Sequence, residues 1–260
     1  RTLDVPEARP VVTVSQGIHL VLPKRFLPGD SAIMVPKTSD GRVLFAVPWH
    51  NTVVVGTTDT PLPEASIEPR ALAEELDFVY EHACQYLDQD PGPEDVLSVF
   101  AGLRPLVKSG DEGDTAALSR DHVIMISESG LVTVTGGKWT TYRKMGEDVI
   151  DQGEMVAGVE ARASVTRDLP IEPGAPEWAG VGNLSVERIS HWVETEMART
   201  VEDVLARRCR LLLLDARRAQ GEADHVATVM AGELGWDAER AANEAACFRE
   251  LAAGYRFRPT

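Results

Sequence analysis

Apolar positions change their spacing along this chain. Up to residue 135 they come in short β-branched runs broken by Gly, Pro, Asn and Asp. From about residue 185 they recur every three or four positions over longer stretches. The first pattern predicts strands at 11–14, 18–22, 32–35, 43–47, 52–56, 96–100, 123–126 and 131–135. Ser39-Asp40-Gly41, between two of these, is a hairpin signal. One helix interrupts the strands, with Leu72, Leu76, Val79, Ala83 and Leu87 on one face after Pro69. A further helix is predicted over 138–151, with Trp139, Tyr142, Met145 and Val149 sharing a face. The second pattern predicts helices over 185–196, 201–220, 223–234 and 238–252, several beginning at Ser, Thr or Asp caps. Pro170, Pro173 and Pro176 mark the irregular stretch between the two regimes. The fold class expected is α+β: a mixed or antiparallel sheet with a helix on it, then an all-α domain.

Charge follows the same division. Residues 1–163 hold 14 basic and 25 acidic side chains, and residues 164–260 hold 12 and 16. All five lysines lie in the first part, and the second uses only arginine, which supports a boundary near residue 163. The net charge of −15 disfavours nucleic acid and anionic membrane surfaces as partners. Cys84, Cys209 and Cys247 are odd in number and scattered, which argues for a reducing compartment and against a disulfide framework. Asn183-Leu184-Ser185 fits a glycosylation sequon, a short match that chance often supplies. No apolar run reaches membrane-spanning length, and no signal peptide precedes the first strand. A chain that opens without methionine and enters a strand at once is expected to be part of a longer one.

Candidate chemistry concentrates at Gly136-Gly137-Lys138-Trp139-Thr140-Thr141-Tyr142-Arg143, where a strand passes through two glycines into a helix. Backbone N–H groups and a lysine at one point suit a phosphate, a carboxylate or an electron-rich ring. The alternative is a plain tight turn with an exposed lysine. A P-loop is excluded, because Val132 and Trp139 stand where it needs glycine and Ser or Thr. The near-Rossmann string Gly180-Val181-Gly182-Asn183-Leu184-Ser185 follows prolines and not a strand. No G-x-S-x-G elbow or C-x-x-C pair is present.

Three further residues stand out. His19 lies between Ile18 and Leu20 in a strand, so its side chain points away from both. Histidine exchanges protons near neutral pH, though a core or edge histidine is the other reading. Arg104 follows an apolar strand and precedes Pro105, a place suited to forking onto phosphate or carboxylate, or to a salt bridge across the sheet. Arg120 stands at a strand entry beside Asp121, with which it could simply pair. Cations at element ends within an acidic segment point to a small anionic ligand. Arg207, Arg208, Arg210, Arg217 and Arg218 stud the helix around Leu211–Leu214, read as the central helix of the small domain. Some of them are expected to bridge to a neighbouring domain; a phospholipid contact is the sharper reading of the same residues.

Several strings occur together in order: Ser15-Gln16-Gly17-Ile18-His19-Leu20-Val21-Leu22-Pro23, Pro48-Trp49-His50-Asn51, Gly56-Thr57-Thr58-Asp59-Thr60, Phe100-Ala101-Gly102-Leu103-Arg104-Pro105-Leu106, Ser119-Arg120-Asp121, Gly136 to Arg143, and Thr200-Val201-Glu202-Asp203-Val204-Leu205-Ala206-Arg207-Arg208. In this combination the chain resembles the FAD-dependent (aerobic, respiratory) glycerol-3-phosphate dehydrogenase family, over nearly its whole length. The glycine-rich strand–turn–helix with which that family begins is absent, so the resemblance is to its C-terminal half.

The resemblance implies a substrate-binding sheet domain at 1–130, the last strand and helix of the FAD-binding domain at 131–163, and a helical cap at 164–260. It implies oxidation of glycerol 3-phosphate to dihydroxyacetone phosphate, FAD as hydride acceptor and quinone as final acceptor. By the same resemblance His19 and Arg104 are catalytic, and Arg104, Arg120 and Lys138 bind substrate. Gly137, Lys138, Trp139 and Thr140 face the flavin, and no metal takes part. A cytoplasmic location, peripheral contact with the inner face of the cell membrane and a homodimer are compatible with it. The fragment by itself is expected to be inactive. The rivals are an oxidase delivering electrons to oxygen and a non-catalytic binding module.

Overall fold

A computed structural model describes residues 3–8, 10–38, 41–107, 122–170 and 182–258. The chain forms two compact units, each built from three separate stretches: 1–16, 60–67 and 103–175 in the first, and 17–59, 68–102 and 176–260 in the second. The architecture is α+β with an antiparallel sheet and a helical C-terminal region.

In the second unit the sheet is formed by residues 17–23 of β1 (Val12–Pro23), with β2 (Ile33–Val35), β3 (Leu44–Trp49) and β4 (Thr52–Gly56). Neighbours pair antiparallel in the order β2-β3-β4-β1, with Ile33 opposite Ala46, Ala46 opposite Val55, and His19 opposite Gly56. Leu20, Val21 and Leu22 are all fully buried, so β1 is covered on both faces, which explains its continuous apolar run. The β3–β4 turn has both central residues left-handed, His50 at φ 46° and Asn51 at φ 63°. That is the conformation a two-residue hairpin matching the strand twist requires. Ser39 and Asp40 of the predicted hairpin signal lie outside the described residues; Gly41, at φ 87°, supplies the left-handed position before β3.

Helix α1 (Ala73–Tyr86) sets Val79 and Ala83 into the sheet core with Ile18, Leu20, Leu22, Val53 and Val55. Strand β6 (Ser98–Val107) runs well beyond the predicted 96–100, so Arg104 stands inside a strand and not at its end.

The helices α3 (Val186–Thr195), α4 (Leu211–Leu214), α5 (Ala216–Leu234) and α6 (Ala238–Ala253) surround a separate core that includes Trp192, Leu205, Leu212, Met230 and Phe248. Ser185, Asp215 and Asp237 accept hydrogen bonds from the N–H groups of Arg188, Arg218 and Arg240, capping α3, α5 and α6. Ser185 of the sequon string therefore has a structural role. The continuous helix predicted over 201–220 is broken. Arg210 is left-handed (φ 58°), and Asp215 is extended so that its carboxylate can cap α5. As a result α5 begins at Ala216 and continues through Gly221 to Gly235, whose left-handed φ of 67° ends it.

Of the five arginines, some of which are expected to bridge outward, three bond locally: Arg207 to Glu202 and Asp203, Arg208 to Glu196, and Arg218 to the Gly182 carbonyl. Within this unit the helices are also tied to the start of β6. The Ala216 N–H donates to the Leu97 carbonyl (3.0 Å), and the Ser98 hydroxyl donates to the Leu212 carbonyl (2.9 Å).

The first unit holds β5 (Thr60–Leu62), a short strand the sequence pattern gives no sign of, paired antiparallel with the start of β1. It also holds a hairpin of β7 (His122–Ile126) and β8 (Val132–Gly136), followed by α2 (Tyr142–Ala157). Helix α2 passes Gly153 and stops at left-handed Gly158, beyond the predicted end at 151. None of its residues is buried. Among the described residues no helix is long and apolar enough to cross a membrane.

Candidate active site

His19 is held from three directions in the second unit. Its neighbours Ile18 and Leu20 are fully buried on the core face, which leaves its imidazole on the opposite face and partly exposed. The ring stacks on Phe100, with centroids 5.1 Å apart and planes 22° from parallel. Beneath it, across the ladder, is Gly56. A Cβ there would come within 2.5 Å of His19 Cδ2 and 2.6 Å of the Ile18 carbonyl oxygen. Only glycine leaves room for this ring against this strand.

The backbone beside His19 is held by a buried polar chain. The Ile18 N–H donates to Thr58 Oγ1 (3.1 Å), and the Thr58 hydroxyl donates to Glu75 Oε1 (2.8 Å). The other oxygen of Glu75 accepts from the Leu72 N–H (3.0 Å) at the start of α1. Thr58 and Glu75 are 1% and 2% exposed. No periodicity marks Glu75 as a buried position. The visible signal is an acid on the third residue of a helix whose face is otherwise apolar, and its partner is 17 positions away.

In the first unit, the turn between β8 and α2 is set by Gly136 and Gly137, both at φ 79°. A Cβ on Gly137 would collide with the Met145 thioether. Lys138 is extended, and its N–H donates to Thr141 Oγ1 (3.2 Å), whose hydroxyl donates back to the Lys138 carbonyl (3.0 Å). One 3-10 turn, Trp139–Thr141, then leads into α2. Trp139 is 85% exposed and stacks on Tyr142 with centroids 5.4 Å apart.

No acidic residue lies in the first turn of α2, so nothing there competes with an anion for the helix N-terminus. Further along, Arg143 and Lys144 bond to Glu147 (2.6 and 2.8 Å), and Lys144 also bonds to Asp148 (2.7 Å). Hydrogen bonds from Arg143 and then Lys144 lower the Glu147 pKa to about 2. Hydrogen bonds to Asp148 and then Glu147 push Lys144 up to about 12. Asp148 also bonds His122 (3.0 Å) at the start of β7.

The structure thus gathers Gly137, Lys138, Trp139 and Thr140 in one turn. It places Arg104, half-buried, on β6 in the same unit and His19 in the other unit. Arg120 lies outside the described residues. Among the described residues no three His, Cys, Asp or Glu side chains are grouped to hold a metal ion. A cavity of about 660 Å³ in the second unit, lined by Lys24, Arg25, Asn51, Leu211 and Arg218 among others, contains none of the predicted site residues.

Residues 1–143 match the model of the FAD dependent oxidoreductase family, and residues 177–241 match that of the C-terminal domain of alpha-glycerophosphate oxidase. The chain is 32% identical to the probable mitochondrial glycerol-3-phosphate dehydrogenase of Caenorhabditis elegans, covering 91% of this chain and 40% of that one. It is 31% identical to the human mitochondrial glycerol-3-phosphate dehydrogenase, with the same coverage. To the mitochondrial SDP6 glycerol-3-phosphate dehydrogenase of Arabidopsis thaliana it is 31% identical, covering 92% of this chain and 47% of that one. The chain therefore spans less than half the length of these relatives. Its fold superposes on the glycerol-3-phosphate dehydrogenase of Bacillus halodurans, solved with FAD, with a TM-score of 0.73 at 22% identity. That match covers 95% of this chain and 58% of the other.

Proposed function

The chain belongs to the FAD dependent oxidoreductase family, and from that premise we propose that it is the substrate-handling half of a flavoenzyme that oxidises glycerol 3-phosphate to dihydroxyacetone phosphate. The observation that carries this reading is the cradled, partly exposed imidazole of His19, stacked on Phe100 and seated over Gly56 on an interior strand of the sheet.

The β8–α2 turn has the properties a flavin ring needs. Two left-handed glycines let the backbone approach closely, the helix start offers N–H groups without a competing acid, and Trp139 presents an aromatic face. Gly137, Lys138, Trp139 and Thr140 would hold the ring there. The pyrophosphate needs a glycine-rich strand–turn–helix that this sequence does not contain. When bound, FAD supplies the two-electron acceptor for hydride removal from the substrate carbon.

The protein's own residues do the rest. His19 takes the hydroxyl proton of the substrate on an imidazole nitrogen as the carbonyl forms. Arg104 polarises that oxygen or grips phosphate, Arg120 binds phosphate, and Lys138 supplies positive charge beside both substrate and cofactor. In this reading residues 1–130 form the substrate domain, 131–163 return to the flavin domain, and 164–260 cap the assembly. Quinone is the final electron acceptor, membrane contact is peripheral, two copies form a dimer, and the fragment alone is inactive.

The test uses the full-length protein, in which this chain is joined to the glycine-rich half that the family carries. Glycerol 3-phosphate is added without oxygen, and the visible flavin absorption is followed. Bleaching supports the reading; a bound flavin that does not bleach removes the substrate assignment. The oxidase match over residues 177–241 supports a second reading, with oxygen as acceptor. Stoichiometric peroxide on readmitting air would favour it over quinone.

A further inference from the structure

We propose that Thr58 and Glu75 are positioning residues that fix the register and height of His19 through the backbone of Ile18; this rests on the proton-accepting role given to His19. The β1–β4 ladder reaches His19 opposite Gly56. Next to that pair, the Ile18 N–H is taken up by a side chain, Thr58 Oγ1 at 3.1 Å. A buried N–H must find an acceptor, so wherever Thr58 sits, Ile18 follows, and His19 is the next residue.

Thr58 has a single hydroxyl proton, and it is directed to Glu75 Oε1 at 2.8 Å. That bond orients the oxygen so that a lone pair faces Ile18. Glu75 is itself fixed at both oxygens, because Oε2 accepts the Leu72 N–H at 3.0 Å. The chain of contacts therefore runs from the first turn of α1 to Glu75, to Thr58, to Ile18 and to the imidazole.

Two observations indicate that this arrangement serves more than stability. Capping the Leu72 N–H needs only one carboxylate oxygen and works in solvent. Yet Glu75 is 2% exposed, with its second oxygen turned inward to the Thr58 hydroxyl, a burial and a second contact that capping does not call for. The chain also ends at the one strand position whose ring is held separately by Phe100 and by the absence of a side chain at Gly56. Backbone and ring of His19 are thus fixed by independent contacts, as a proton acceptor that must meet a substrate hydroxyl within hydrogen-bond reach requires.

The experiment is a double-mutant cycle in the full-length holoenzyme. Thr58→Val keeps the side-chain shape and removes the hydroxyl. It is expected to slow flavin bleaching by glycerol 3-phosphate about tenfold or more, with KM changed by less than about twofold. By hydrogen exchange, the peptide spanning residues 16–20 is expected to lose protection, a readout that needs no turnover. Thr58→Ser restores both. In a His19→Ala background, Thr58→Val is expected to leave the residual rate unchanged, because the residue it positions is gone. If Thr58→Val does not fold, Glu75→Gln takes its place in the cycle, with a smaller rate loss that also vanishes in the His19→Ala background.

The outcomes separate cleanly. A near-normal His19→Ala enzyme removes the proton role and this inference together. A slow His19→Ala enzyme that Thr58→Val or Glu75→Gln slows again by the same factor keeps the proton role and overturns the inference. So does unchanged turnover in both Thr58→Val and Glu75→Gln.

Discussion

Gly56→Ala is the smallest change that tests the histidine cradle. The added methyl would stand 2.5 Å from His19 Cδ2 and 2.6 Å from the Ile18 carbonyl oxygen. Carbon contacts relax at about 3.5–4.0 Å, so the neighbours must move by roughly 1 Å. The ring cannot simply turn away, because Phe100 stacks on it, and the Ile18 oxygen belongs to a fixed strand. Gly56 has no left-handed φ, so the cost is steric and not conformational. Overpacking of this size costs about 1–3 kcal/mol, which lowers the melting temperature. A misplacement of about 1 Å at a reacting group costs about a hundredfold in rate. Scanning calorimetry and anaerobic flavin bleaching of the full-length variant measure the two effects separately. A Gly56→Ala protein with the melting temperature and bleaching rate of the wild type would show that His19 is not held against this strand as described.

Other expectations are shorter to state. His19→Ala and Arg104→Ala in the full-length enzyme each lower turnover at least about tenfold, or about 1.4 kcal/mol of transition-state stabilisation; near-normal steady-state rates in either remove that residue from its role. Glu147 titrates at about 2 in the folded chain, below its ordinary range, so its contribution is complete above the ordinary carboxylate pKa and is lost as pH falls from there toward about 2. The melting-temperature gap between wild type and Glu147→Gln should therefore be widest near neutral pH and close on acidification; a gap that does not change over that range refutes the assignment. Leu212 is fully buried in the helical core, and Leu212→Ala should lower the unfolding free energy by about 2–5 kcal/mol in urea titration. A loss below about 1 kcal/mol would mean that the site collapses around the deletion.

Local pattern carried much of the fold. The strand at 52–56 and the helix starting at Ala238 fall where periodicity and an Asp cap put them. The break between Arg208 and Ala216 was hidden because Leu211 to Leu214 look like a helix interior from every side. The competing signal was Asp215, whose capping of the Arg218 N–H forces it out of helical backbone. Pro105 predicts a strand end at Arg104, yet β6 continues through both. For the site, the turn between β8 and α2 was legible from strand, Gly-Gly and helix in succession, but the exposure of Trp139 was not, because a helical period groups it with Tyr142, Met145 and Val149. The Glu75–Thr58–Ile18 chain was not, because it joins residues 17 and 40 positions apart, through contacts that no local period encodes.

The interleaving of the two units bears on how such a protein can change over generations. Each unit takes three stretches, so the chain changes unit at five junctions, after residues 16, 59, 67, 102 and 175. Neither unit can be lifted out as a cassette. A recombination crossover anywhere between residues 17 and 175 would graft part of each unit onto foreign sequence. Variation in this chain is thereby channelled into point substitution and loop insertion rather than the shuffling of whole modules.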